Sequence, residues 1–196
     1  MMFSGAAHRE PPNGRIERMF VVLDLETTGA DFRSPTQGGD RYHVAEVAAI
    51  ALKADGSEHV RYGTTVRVPV ARANGMLTDL GTRWHGITWS EVASAPTWSE
   101  VASDLAAMMN GATVIGHNVE RFDIPFVTAA AARVGVTIAP AATYDTLKVD
   151  RYRRPGARHN LAAACEAHGI TLAGAHRAMN DAAATADLFR AQRRGA

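Results

Sequence analysis

Residues 19–23 read Met-Phe-Val-Val-Leu, an unbroken apolar run of strand-forming residues that leads straight into acid, with Asp24-Leu25-Glu26-Thr27-Thr28-Gly29 following. An apolar run without alternation suits a strand buried on both faces, and such a strand needs covering layers on each side of its sheet. Side chains alternate along a strand, so Asp24 and Glu26, two apart, share one face at the strand's end. The polar residues and Gly29 mark the exit from the strand. The run therefore restricts the chain to a layered architecture with two carboxylates together at the end of a central strand.

Val44–Leu52 and His59–Val68 read as two further strands joined through Ala54-Asp55-Gly56-Ser57, a hairpin signal. Thr88-Trp89-Ser90-Glu91 and Thr97-Trp98-Ser99-Glu100 both fit the capping box, in which Thr and Glu satisfy opposing backbone N–H groups. Their shared Trp-Ser-Glu-Val-Ala-Ser string is too short for a solenoid and marks two helix starts. The second helix is expected from Trp98 to Asn110, stopped by Gly111. Ala112–Gly116 is another short apolar strand, followed by a helix ending near Gly135, and Thr143–Thr146 is the tail of a fifth strand. Residues 148–159 carry Lys148, Arg151, Arg153, Arg154 and Arg158 around Pro155-Gly156 and read as a basic loop. Asn160 caps a helix through His168, and the last helix is expected from Asn180 or Asp181 to Arg193. Three strands first, then helices alternating with strands, give an α/β fold: a mixed central sheet of about five strands, the first three antiparallel, flanked by helices. Residues 30–42, with Pro35, Gly38 and Gly39, read as a loop; residues 1–18 lack periodicity and read as a flexible leader, leaving 19–196 as one domain.

Composition narrows the function by exclusion. No apolar run approaches the roughly 20 residues that cross a bilayer. Residues 1–15 lack the apolar core of a secretory signal, so a cytoplasmic location without a membrane partner is expected. Cys165 is the only cysteine, which excludes an internal disulfide and a cysteine-based zinc cluster. The net charge of +1, from 21 basic and 20 acidic residues, is less than a protein coating duplex DNA would carry. A nucleic-acid partner would instead be gripped at one end, in one pocket.

The chemistry-bearing residues are four carboxylates and a histidine. Asp24 and Glu26 repel each other unless a cation sits between them, and Mg²⁺ favours such oxygen ligands, although an isolated pair also fits a solvated strand end. Asp123 stands in Arg121-Phe122-Asp123-Ile124-Pro125-Phe126, downstream of Gly116-His117-Asn118. Pro125 belongs in a helix's first turn, so a helix begins close to Asp123, where a carboxylate equally suits an N-cap. Asp181 opens the last helix, and His176 precedes it on the loop. An imidazole there can take a proton from an attacking water, although a surface histidine fits as well.

In order along the chain, the D-x-E of the first strand, the H-N…F-D after a later strand and the H-x-x-x-x-D opening the last helix resemble the DEDDh (DnaQ-like) 3′–5′ exonuclease family. That family includes the epsilon proofreading subunit of bacterial DNA polymerase III, ribonuclease T and oligoribonuclease. Leu23 to Gly29 looks like its first motif, Gly116-His117-Asn118 through Phe122-Asp123 its second, and His176 through Asp181 its third. His85-Gly86-Ile87-Thr88 and Tyr144-Asp145-Thr146-Leu147 also match, so the resemblance covers nearly all of the chain from Met19 to Arg193. The second motif has one residue more between His117 and Asp123 than the commonest family spacing. The 30–42 loop is longer than in compact members, and the epsilon subunit's polymerase-binding extension has no counterpart.

The resemblance implies an RNase H-like fold and two-metal hydrolysis that releases nucleoside 5′-monophosphates. Asp24, Glu26, Asp123 and Asp181 would hold two divalent cations, Mg²⁺ or Mn²⁺, with Asp24 bridging, Glu26 and Asp181 on the nucleophile's side, and Asp123 serving the second ion. His176 would be the general base. Thr27 and Thr28 would meet the terminal nucleotide, and His85, His117, Asn118 and Phe122 would stack on or bond to the terminal nucleotides. Phe122 also fits the core and His85 a turn; Glu46, inside an apolar strand, is read as structural. The expected substrate is the 3′ end of single-stranded DNA, because Thr27-Thr28-Gly29 looks closer to epsilon-type members than to oligoribonuclease. RNA 3′-end trimming of the ribonuclease T type is the alternative, and a non-catalytic nucleic-acid-binding scaffold is a third reading. A DNA polymerase is the protein partner that the epsilon likeness raises, without the extension that would bind it.

Overall fold

A computed structural model describes residues 20–29, 42–68, 72–73, 76–77 and 85–194. The expected leader and nearly all of the expected 30–42 loop lie outside these residues. Strand β1 (Phe20–Thr27) pairs antiparallel with β2 (Val44–Leu52), running from Phe20 opposite Leu52 to Glu26 opposite Glu46. β2 in turn pairs antiparallel with β3 (Glu58–Thr65). Arg72–Ala73 (β4) and Met76–Leu77 (β5) form a separate two-stranded pair. On the other side of β1, β6 (Thr113–Gly116) and β7 (Ala142–Asp145) add parallel strands, giving the order β3-β2-β1-β6-β7. The expected mixed five-stranded sheet, antiparallel in its first three strands, is present.

The central place of β1 explains its apolar run. Val21, Leu23 and Leu25 enter one core cluster with α2 (Trp98–Met109) and α3 (Asp123–Ala132). Val22 enters the opposite cluster with Ala178, Ala182 and Phe189 of α6 (Ala178–Arg194). Asp24 and Glu26 continue the Val22 face, so the strand alternation that buries the core also aims both acids toward α6. The strand itself runs through both acids to Thr27, further than its apolar stretch.

The remaining helices are α1 (Trp89–Ala93), α4 (Thr146–Arg153) and α5 (Leu161–Ala167). Both Thr-x-x-Glu starts are helix starts: the N–H groups of Thr88 and Thr97 donate to Glu91 Oε2 and Glu100 Oε2, each at 2.8 Å. Asn160 caps α5, its Oδ1 accepting from Ala163 N at 2.8 Å.

Three expectations need correction. β3 ends at Thr65 instead of Val68, because Arg67 N turns away to Pro96 O at 2.8 Å. The first half of the expected basic loop 148–159 is helix α4, which Asp145 caps by accepting from Leu147 N at 3.0 Å and which buries Leu147 and Asp150; the loop begins at Arg154. The last helix starts at Ala178, before the expected Asn180 or Asp181, for a reason given below. Among the described residues no helix is long and apolar enough to cross a membrane.

Candidate active site

The second motif is folded by Asp145 and Gly116. Asp145 Oδ1 accepts from Asn118 N at 3.0 Å and its Oδ2 from Glu120 N at 3.4 Å, which stabilises a turn in which Asn118 has φ of 74°. A Cβ on Gly116 would stand 2.6 Å from Val119 Cβ and 3.0 Å from Leu23 O, so only glycine lets the end of β6 pass this close to β1. The turn starts α3 at Asp123, whose side chain is buried next to the Asp24 strand.

The third motif is held by β2. Glu46, buried opposite Glu26, accepts from Arg177 Nη2 at 2.8 Å and from Ala178 N at 2.8 Å. Its carboxylate thereby caps α6 from another element, and this is why the helix starts earlier than local residues imply. Just before this anchor His176 adopts φ of 66°, and its N–H donates to Asp181 Oδ2 at 3.3 Å. One oxygen each of Glu26 and Asp181 and one ring nitrogen of His176 lie within 4.8 Å of one another.

The four acids share one electrostatic environment. Burial lifts the Asp24 carboxyl well above its ordinary range, and Asp123, Asp181, Glu26 and Glu46 lift it further. Burial, then Asp181 and Glu46, push Glu26 up to about 7 against the opposing charge of Arg177. Burial also pushes Asp123 up to about 8; the backbone groups of Asp123 and Leu25 work against this, and Asp145 and Glu26 add to it. Asp181 is raised by burial, with the N–H and charge of His176 opposing. Such a cluster is costly when fully ionised unless a cation neutralises it. The donor set fits a hard divalent ion, since it is rich in carboxylate oxygens and Asp181 Oδ1 is buried without a hydrogen-bond partner among the described residues.

The other expected residues are placed as follows. Thr27 Oγ1 donates to Gly29 O at 2.9 Å, while Thr28 is buried and its Oγ1 accepts from His43 N at 2.9 Å. His85 is buried, with Nδ1 accepting from Ile87 N at 3.1 Å. His117 lies 2.7 Å from the carbonyl of His159 through Nε2 and 3.0 Å from Thr146 Oγ1 through Nδ1. Burial lowers its proton affinity, and a neutral ring facing a carbonyl carries its proton on Nε2 and accepts at Nδ1. Phe122 packs against the core and tilts on Phe126 at 5.8 Å between ring centroids. Asn118 contributes its backbone N–H to Asp145. A cleft of 850 Å³ lined by Tyr42, Trp89, Trp98 and Arg133, among others, contains none of the four acids.

Arg177 is the residue that motif reading passed over. Its signal was Glu46, a charged side chain inside a strand buried at all nine positions, which demands a partner.

The chain matches the family described as Exonuclease (RNase_T) over residues 21–189. It is 32% identical over 173 residues to the 3′–5′ exonuclease DinG of Staphylococcus aureus, covering 87% of this chain and 18% of DinG. It is 31% identical over 184 residues to the PolC-type DNA polymerase III of Oceanobacillus iheyensis, covering 93% of this chain and 12% of that protein. The chain thus spans less than a fifth of either relative. Escherichia coli exonuclease I, crystallised with a dT13 oligonucleotide, superimposes with a TM-score of 0.69 at 20% identity over 88% of this chain and 40% of that one, which places the sheet in the RNase H-like fold.

Proposed function

The chain belongs to this exonuclease family, a family of nucleases, and on that premise we propose that it removes nucleotides one at a time from the 3′ end of single-stranded DNA, using divalent cations held by Asp24, Glu26, Asp123 and Asp181. The observation that carries the reading is the convergence of the four acids from β1, α3 and α6, with His176 beside Glu26 and Asp181. Two cations, Mg²⁺ or Mn²⁺, would supply counter-charge both to the crowded acids and to a phosphodiester transition state.

The residues divide the work by position. Asp24 feels all three of the other acids, so it would share in holding both cations. Glu26 and Asp181 stand with His176 and would hold a cation beside the attacking water, and Asp123 with Asp24 would hold the second. The exposed His176 ring accepts the proton of the attacking water, while its N–H orients Asp181. The register shift between Glu26 and Thr27 turns the backbone at the place where Thr27 and Thr28 would meet the terminal nucleotide. Residues 19–196 would form this domain, acting in the cytoplasm.

Single-stranded DNA is favoured because exonuclease I of the same fold was crystallised with such a strand and DinG is a 3′–5′ exonuclease. A DNA strand labelled at its 5′ end should shorten stepwise with Mg²⁺ or Mn²⁺ and stay intact with a chelator. A matched RNA strand should shorten more slowly; much faster RNA loss replaces the substrate. No shortening of either strand with either metal sinks the proposal.

A further inference from the structure

We propose that Arg151, Tyr152 and Arg158 form a binding rim for the single strand upstream of the terminal nucleotide, an inference that rests on the exonuclease reading. Five basic residues lie between 148 and 158, and the structure sorts them. Lys148 is paired with Glu120. Arg153 Nη1 donates to Gln192 O at 2.7 Å, and Arg154 grips Asp150 through two bonds of 2.8 and 2.9 Å. Arg151 and Arg158 are exposed, and neither side chain makes a hydrogen bond or ion pair among the described residues. Tyr152, between them in sequence, is 87% exposed, against 37% for Val134, the other exposed large hydrophobic among the described residues.

Core packing explains none of these three. Leu147 and Asp150 define the buried side of α4, and at about 100° per residue Tyr152 falls on the opposite side. What the segment does share is a border with the acids. α4 begins where β6 and β7 end, at the carboxyl edge of the parallel strands, where α/β sheets bind ligands. Thr146 on its first turn contacts His117, and the following loop returns to the same ring through the His159 carbonyl. Arg151 is near enough to His117 to oppose its protonation, and His117 is in turn a neighbour of Asp181. Buried Asp150 fixes the loop by holding both Arg154 and His159, the latter at 2.6 Å.

A cluster of acids repels a polyanion, and a net charge of +1 gives no general attraction. Local cations are therefore needed to bring the strand to the pocket. Two unpaired guanidinium groups on either side of an exposed ring in the sequence supply the two kinds of contact a single strand takes, arginine for its phosphates and tyrosine for stacking a base.

The test compares a DNA strand of about 12 nucleotides, long enough to reach the rim, with the p-nitrophenyl ester of thymidine 5′-monophosphate, which is confined to the acid pocket. Tyr152→Ala should raise KM for the strand roughly five- to tenfold with kcat unchanged. The Arg151→Gln/Arg158→Gln double variant should do likewise, and it should flatten the slope of log affinity against log salt by about 0.7 for each cation removed. Turnover of the ester should stay at the wild-type level in all variants. Unchanged KM for the strand, or an equal loss on both substrates, overturns the rim. If the wild type cleaves neither substrate, the exonuclease reading fails; fluorescence anisotropy with the same labelled strand then decides the rim, and equal Kd in wild type and variants rejects it.

Discussion

Arg177 closes on Glu46 with two nitrogens, Nη2 to Oε1 at 2.8 Å and Nε to Oε1 and Oε2 at 3.1 and 3.2 Å. Because Glu46 lies directly across from Glu26 in the sheet, this clamp fixes the start of α6 against the strand that carries two of the acids. His176 and Asp181 stand on either side of it in sequence, so the pair sets how far the last motif sits from the first. Arg177 also reaches Glu91 of α1 at 3.5 Å, which ties the clamp to the second layer of the fold.

Removing Glu46 should therefore act on metal binding as well as on stability. Glu46→Ala leaves Arg177 with only the longer contact to Glu91 and the Ala178 N–H without its acceptor, for a loss of roughly 2 kcal/mol in urea denaturation. Calorimetric titration with Mn²⁺ should show affinity falling by about tenfold as Asp181 drifts from Glu26, equivalent to about 1.4 kcal/mol. Glu46→Gln keeps an acceptor for Ala178 and should lose less on both counts. A folded Glu46→Ala protein with wild-type Mn²⁺ affinity would show that the clamp positions nothing.

Asp24→Ala and Asp181→Ala should each abolish strand shortening while leaving the far-ultraviolet circular dichroism unchanged. Asp24→Asn should in addition raise the melting temperature of the metal-free protein at pH 8, because it removes a charge whose burial opposes folding. Substantial activity in either alanine variant contradicts the assignment of the site.

The pH dependence of metal-free stability follows from the direction of these shifts. Asp24, Glu26 and Asp123 have folded-state values above their unfolded ones, with Glu26 at about 7 and Asp123 at about 8. Between the ordinary carboxylate range and pH 8 the folded state thus binds more protons than the unfolded state, and stability falls as pH rises through that window. With a chelator present, the melting temperature should drop by about 5 °C or more from pH 5.5 to pH 8.5. Mn²⁺ should restore it, and should do so most at the higher pH, where the acids are ionised. A metal-free melting temperature that rises across the window would contradict the burial of these carboxylates.

His176→Ala should separate chemistry from binding. Loss of a positioned base costs roughly 10²- to 10⁴-fold in kcat, while Mn²⁺ affinity should fall far less, because four carboxylates remain. Comparable losses in single-turnover rate and Mn²⁺ affinity would make His176 a ligand instead of a base.

Much of this could be read in the chain because short-range rules govern it. The apolar run of β1, the two Thr-x-x-Glu starts and the Asn160 cap are each set by neighbours within a few residues, and each folded as the pattern implied. Residues 148–153 did not, since five basic residues around Pro155-Gly156 look like a loop until Asp145 caps a helix and Leu147 and Asp150 are buried beneath it; 154–159 is the loop the pattern implied. Their exposed partners, Arg151 and Tyr152, were visible in the sequence only as charge and ring.

The chemical inventory and its order are written in the chain: two acids on one face of a central strand, a third at a helix start after a later strand, a fourth with a histidine before the last helix. Tertiary structure alone decided the frame that brings them together. Glu46 and Arg177 are 131 residues apart in the chain. No local spacing encodes such a pair, because it forms only once the sheet and α6 have packed and a buried carboxylate must find a cation and an N–H within reach.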